Sequence, residues 1–136
     1  MSAPENQSII EGQSERDPLT AKIIAAVIEV HRHLGPGLLE SVYEDCLCHE
    51  LRLRGIGFQR QVPLPLAYKG LSLDSTYRLD LLVEDQVVLE SKAVDQTLPV
   101  FRAQLLSYLR LSGKRVGLLI NFHVPQVTRG IERPVL

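Results

Sequence analysis

Two apolar stretches separated by only three residues constrain this chain most. Thr76-Tyr77-Arg78-Leu79-Asp80-Leu81-Leu82-Val83 is followed, after Glu84-Asp85-Gln86, by Val87-Val88-Leu89-Glu90-Ser91-Lys92-Ala93. Both read as strands, and a linker this short makes them a hairpin. Side chains alternate along a strand, so Leu79, Leu81 and Val83 should share one face and Arg78 and Asp80 the other. By the same rule Glu90 and Lys92 lie opposite Leu89, Ser91 and Ala93. A two-residue loop at Asp85-Gln86 would pair Asp80 with Ser91 and set Leu81 against Glu90. A three-residue loop pairs Leu81 with Leu89 and Val83 with Val87, which matches apolar to apolar along a whole face. No Asn-Gly or Asp-Gly marks the shorter turn, and no Gly marks the usual bulge of the longer one. The three-residue register is therefore expected. It sets Asp80 directly opposite Glu90, with Lys92 one step along.

The rest of the chain supplies the layers around this hairpin. Asp17-Pro18 is a helix start, with Asp17 as N-cap, and Ile23, Val27, Val30 and Leu34 recur at helical spacing until Gly35-Pro36-Gly37. A second helix is expected from about Leu38 to Arg54, ended by Gly55. Phe58–Tyr68 is extended, and Pro63 and Pro65 restrict it to an edge or a bulged strand. Lys69-Gly70 reads as a turn into Leu71–Val83. The second hairpin strand is expected over Val87–Val94, a third helix over Leu98–Leu111 and a doubly covered strand within Arg115–Phe122. The fold class is α/β: a mixed sheet, with an antiparallel meander and a later strand, flanked by helices. With 136 residues the chain is one domain. Residues 1–16 read as a flexible polar tail and 17–136 as the folded domain.

Opposed carboxylates at Asp80 and Glu90 repel, so stability alone does not favour the pair. A divalent cation between them removes the objection; Mg²⁺ takes one or two carboxylates and completes its shell with water and phosphate oxygens. Lys92 is then placed to act on a water or a phosphate. Read from the spacing alone, a solvated Glu90–Lys92 ion pair on an exposed sheet face is the better explanation, since such spacings arise often by chance.

Gly37-Leu38-Leu39-Glu40-Ser41-Val42-Tyr43 adds a second line of argument. This G-x-x-E-x-x-Y run resembles the GxxExxY family of the PD-(D/E)XK nuclease superfamily, whose fold is restriction-endonuclease-like. The likeness continues in order through Phe58–Pro63, Tyr77–Leu81, Leu89–Ala93, Ala103–Leu109 and Gly117–Phe122, about residues 18–133 in all. The resemblance implies a nuclease hydrolysing phosphodiester bonds with Mg²⁺ or Mn²⁺. In that reading Asp80, Glu90 and Glu40 are the metal ligands, Lys92 completes the catalytic set, and Gln104 faces the site from the following helix. The chain departs from the family in having Phe101, not His, three residues before Gln104.

From the residues themselves, Tyr43 and Tyr108 can either orient carboxylates or pack in the core, the latter being the better fit. Arg78 can contact phosphate or a nearby carboxylate. Glu44 shares the Glu40 face and competes with it as a ligand. Cys46 and Cys48 sit one residue apart in a helix and cannot aim at one ion, so they read as inert reduced thiols. His31 and His33 read as surface residues near a helix C-terminus. Arg102, Arg110, Lys114 and Arg115 make either a basic flank or a solvated helix surface. The net charge of −1 excludes binding of long nucleic acid through bulk charge. No apolar run is long enough for a membrane span, and the first residues carry no secretory pattern, so a cytoplasmic protein is expected. Nucleic acid is the expected partner, DNA before RNA, with a homodimer possible. The competing reading is a non-catalytic module that keeps the fold to bind nucleic acid or protein.

Overall fold

The computed structural model describes residues 17–136; the expected tail at 1–16 lies outside them. Helices α1 (Pro18–Leu34) and α2 (Glu40–Leu53) precede strands β1 (Phe58–Tyr68), β2 (Leu71–Val83) and β3 (Val87–Lys92). Helix α3 (Pro99–Ser112), β4 (Val116–Asn121), a 3₁₀ turn (Val127–Gly130) and β5 (Ile131–Glu132) follow. The sheet runs in order β1-β2-β3-β4-β5. The pairs are antiparallel except β3 with β4, which are parallel and joined through α3. This is the expected mixed sheet. No helix among the described residues is long and apolar enough to cross a membrane.

Local chemistry accounts for the boundaries. The Asp17 side chain accepts from the Thr20 N–H at 3.3 Å, with Pro18 in the first turn of α1. Asp17 also receives a 2.9 Å bond from Arg133, tying the start of the domain to its end. Gly113 closes α3 in the left-handed region. The edge strand β1 changes register between Leu64 and Leu66, around Pro65, which has no N–H for the ladder. The β2–β3 turn places Glu84 and Asp85 at positive φ and returns the Gln86 N–H to the Val83 carbonyl at 2.9 Å. Three loop residues are thus accommodated without a glycine.

The sheet divides the core in two. Leu81, Val83, Val87, Leu89, Leu118 and Ile120 pack with α1 and α2. Leu82, Val88 and Leu119 pack with Leu105, Tyr108 and Leu109 of α3. Strand β4 is therefore covered on both faces, as its continuous apolar run implies. Gly117 lets α3 lie close: a Cβ there would stand 3.0 Å from the Leu105 side chain.

Three expectations need correction. Strand β3 ends at Lys92 instead of Val94, because the Asn121 side chain takes over the backbone of Val94: its Oδ1 accepts from the N–H (3.1 Å) and its Nδ2 donates to the carbonyl (3.0 Å). His31 is buried, not a surface residue, with Nε2 2.8 Å from the Val124 carbonyl. Leu79 does not share the face of Leu81 and Val83; it packs with Leu64, Leu82 and Val88 in the α3-side cluster.

Tyr43 holds the connection between α1 and α2. Its ring stacks on Phe122 with centroids 4.6 Å apart, and its hydroxyl donates to the Gly35 carbonyl (2.5 Å) and accepts from the Leu38 N–H (3.1 Å). Replacing Tyr43 by Phe keeps the stack and leaves both backbone groups without that partner. We expect a loss of about 1–2 kcal/mol, read as a lower urea midpoint with unchanged m-value; an unchanged midpoint would mean that water replaces the hydroxyl without cost.

Candidate functional site

The predicted register holds: Leu81 pairs with Leu89 and Val83 with Val87. The backbone ladder stops at Leu81–Leu89, one step before Asp80 and Glu90 would pair. Beyond that point side chains replace main chain. The Asp80 N–H donates to Glu90 Oε2 at 3.0 Å, and the Ser91 N–H donates to Asp80 Oδ2 at 3.2 Å. Each carboxylate thus bonds to backbone across the gap. The opened ladder also coincides with the break in alternation between Leu79 and Leu81.

This arrangement is electrostatically costly. Glu90 is 5% exposed. Burial first, and the Asp80 charge second, push its carboxyl up to about 8. Asp80 is also raised, mainly by burial, with Glu44 adding to the shift while the Ser91 N–H and Lys92 oppose it. The cation-free pair therefore retains a proton near neutral pH. Glu40 stands in the first turn of α2. Partial desolvation and then the Asp80 charge raise its carboxyl, and Lys92 opposes them, so Glu40 lies within electrostatic reach of both.

The other expected residues separate by what they touch. Glu44 is engaged by Arg60, whose Nη2 and Nε lie 2.7 and 3.2 Å from Glu44 Oε2. A carboxylate held in that ion pair is a poorer competitor for a cation than Glu40. Tyr43 does not orient a carboxylate, since its hydroxyl bonds the Gly35–Leu38 turn. Arg78 donates to the Gln61 carbonyl at 3.3 Å, where Gln61 has positive φ, so it supports β1 backbone. Tyr108 is buried beside the pair; burial first and then Glu90 raise its hydroxyl above the usual phenol value. Gln104 is half-buried on α3 and makes no side-chain hydrogen bond to the pair among the described residues. Lys92 is half-buried, with its ammonium 4.6 Å from the Phe101 ring centroid.

Two features escape the strand pattern. Ser91 Oγ is the one buried side-chain polar atom without a hydrogen-bond partner among the described residues. Asn121, 2% exposed, fixes the chain leaving β3 and also accepts from the His123 N–H at 3.1 Å. An amide ending an apolar run is a signal for such a clamp. The two cysteines are free thiols, and two of the four residues of the basic flank are paired with acids. Cys48 is buried and Cys46 partly so, and no set of three or more His, Cys, Asp or Glu among the described residues is arranged to hold a metal ion. Arg102 pairs with Glu132 at 3.0 Å and Lys114 with Asp85 at 3.1 Å.

A carboxyl raised by folding favours the folded state fully below its unfolded value of 4.5 and loses that contribution as pH climbs to about 8. In chelator, wild type should lose stability over that interval. Glu90→Gln should flatten the slope and exceed wild type at pH 8 by on the order of 1–2 kcal/mol, measured by urea denaturation at pH 5 and pH 8. Parallel pH dependences would contradict the assignment to Glu90. Ser91→Ala should be at least as stable as wild type, gaining up to about 1 kcal/mol by removing the orphaned hydroxyl. A clear loss in the same assay would mean that the hydroxyl has a partner in solution.

A family model described as the PD-(D/E)XK nuclease superfamily matches residues 17–134. No curated protein and no solved structure matches the chain. The mixed sheet flanked by helices is a restriction-endonuclease-like α/β fold. The match spans nearly all of the described domain, and the chain belongs to the PD-(D/E)XK nuclease superfamily.

Proposed function

We propose that this protein is a divalent-cation-dependent nuclease whose site is Asp80, Glu90, Lys92 and Glu40. The observation that carries the reading is the exchange across the open end of β2 and β3, where the buried Glu90 and half-buried Asp80 carboxylates each accept a backbone N–H from the opposite strand. Stability does not favour such a pair, but a cation does. The donor set fits one: hard carboxylate oxygens, a Glu90 carboxyl that burial and then the Asp80 charge raise to about 8, and an orphaned buried hydroxyl beside them. With few protein ligands, Mg²⁺ or Mn²⁺ suits the site better than a cation needing a full protein cage. Asp80 and Glu90 would hold it, and Glu40, which feels the Asp80 charge, would add negative potential near them without standing as a third ligand in this arrangement.

When bound, the cation supplies charge stabilisation at the phosphoryl oxygens and a more acidic water. The protein supplies the rest. Asp80 and Glu90 are fixed by the backbone bonds and need little reorganisation. Lys92 places a positive charge beside them, where it can hold a non-bridging phosphate oxygen and orient the attacking water. In-line attack then breaks the phosphorus–oxygen bond to the leaving sugar oxygen, which takes up a proton. Tyr108 and Gln104 line the α3 side. The G-x-x-E-x-x-Y run supports placement in the GxxExxY group within the superfamily. We take residues 17–136 as the catalytic domain, DNA as the first substrate to test, and a cytoplasmic location and homodimer as working assumptions.

The test is cleavage of single-stranded, duplex and branched DNA and of RNA, with Mg²⁺ and with Mn²⁺. Wild type should cleave at least one substrate, and Asp80→Ala should lose on the order of 10²-fold or more. Equal cleavage by both would indicate a contaminant. A folded wild type inactive on the whole panel would replace this reading with the non-catalytic binding module.

A further inference from the structure

Building on that reading, we infer that Phe101 is a positioning residue: its ring holds the Lys92 ammonium away from the two carboxylates, keeping the carboxylates free for a cation and the ammonium free for phosphate. Asp80, Glu90 and Glu40 all feel the charge of Lys92. A flexible lysine beside buried carboxylates would ordinarily close into an ion pair. Lys92 forms none among the described residues; its ammonium lies over the face of Phe101, 4.6 Å from the centroid.

The aromatic face attracts the ammonium through its quadrupole, without the full charge neutralisation a carboxylate would bring. The platform is also fixed. Phe101 lies in the first turn of α3, its N–H bonds the Leu98 carbonyl at 3.0 Å, and its ring packs against the α3-side core. Helix α3 is itself held close to the sheet at Gly117. The ring is therefore anchored independently of whatever occupies the site. Without it, Lys92 closes onto Asp80 and Glu90, and the site loses cation affinity and its free positive charge together.

The test uses Phe101→Leu, which keeps apolar bulk but not the π face, and Phe101→Trp or Tyr, which restore it. Three readouts are compared on proteins with matching circular dichroism and melting curves. One is the ring-current shift of the Lys92 ε-methylene protons, which needs no activity. Another is the affinity for Mn²⁺ without nucleic acid, and the last is kcat on the cleaved substrate. Phe101→Leu should abolish the shift, weaken Mn²⁺ binding and lower kcat by roughly 2- to 30-fold, the range of a cation–π contact. An aromatic replacement should recover all three. In a Lys92→Met background the same Leu substitution should have little further effect. Equal losses in both backgrounds, or failure of both folded aromatic variants to recover, would overturn the inference. An inactive wild type that still shows the ring-current shift and its loss would count against the nuclease reading alone.

Discussion

Everything at this site depends on where the β2–β3 ladder stops. A regular antiparallel pair would satisfy Asp80 and Glu90 through main-chain bonds and leave their side chains to repel each other on the surface. Instead the ladder ends at Leu81–Leu89, and each carboxylate accepts a backbone N–H from across the opening. Those bonds compensate only part of the cost of placing two acids side by side, because desolvation still raises both carboxyls, with the Asp80 charge adding to the shift of Glu90 and the Glu44 charge to that of Asp80. The fold tolerates a locally destabilised pair because apolar pairing just behind it, at Leu81, Val83, Val87 and Leu89, is continuous and fully buried.

The surrounding elements preserve the opening. Asn121 binds the chain immediately after Lys92, so β3 cannot extend to draw Val94 into the ladder. Tyr43 bonds both sides of the turn ahead of Glu40 and stacks on Phe122, the residue after the clamp. The beginning of α2 and the end of β4 are thereby coupled through one aromatic pair. Arg60 neutralises Glu44, separating a structural acid from the acids left for a cation.

The hairpin register was legible because apolar matching admits one good pairing. The element order followed from changes in period, and β1 as an edge strand from Pro63 and Pro65. What stayed hidden depends on partners distant in sequence. Glu44 and Glu40 share a helix face, and only Arg60 on β1 distinguishes them. His31 has the sequence context of a surface residue, but Val124, far along the chain, buries it. The two-residue β5 is too short to have a period. The opening at Asp80 was invisible for a different reason: alternation rules assume a continuing ladder, whereas here carboxylates substitute for main-chain partners.

Charge distribution gives the proposed chemistry an order. Arg60, Arg102, Lys114 and Arg133 are committed to carboxylates, so they add little free positive charge for an approaching backbone. Near Asp80, Glu90 and Glu40 the one basic side chain that all three feel is Lys92. Without a cation, the acidic side chains oppose a phosphodiester. On the proposed reading, Asp80 and Glu90 would hold a divalent ion whose charge would offset that repulsion and favour the ionised form of Glu90, with Lys92 remaining as positive charge beside them. Cation binding and substrate binding should then be mutually reinforcing, because each reduces the electrostatic cost of the other. On that reading the near-neutral chain would not need a broad basic surface, because the sign of the charge would reverse locally at the open end of one hairpin.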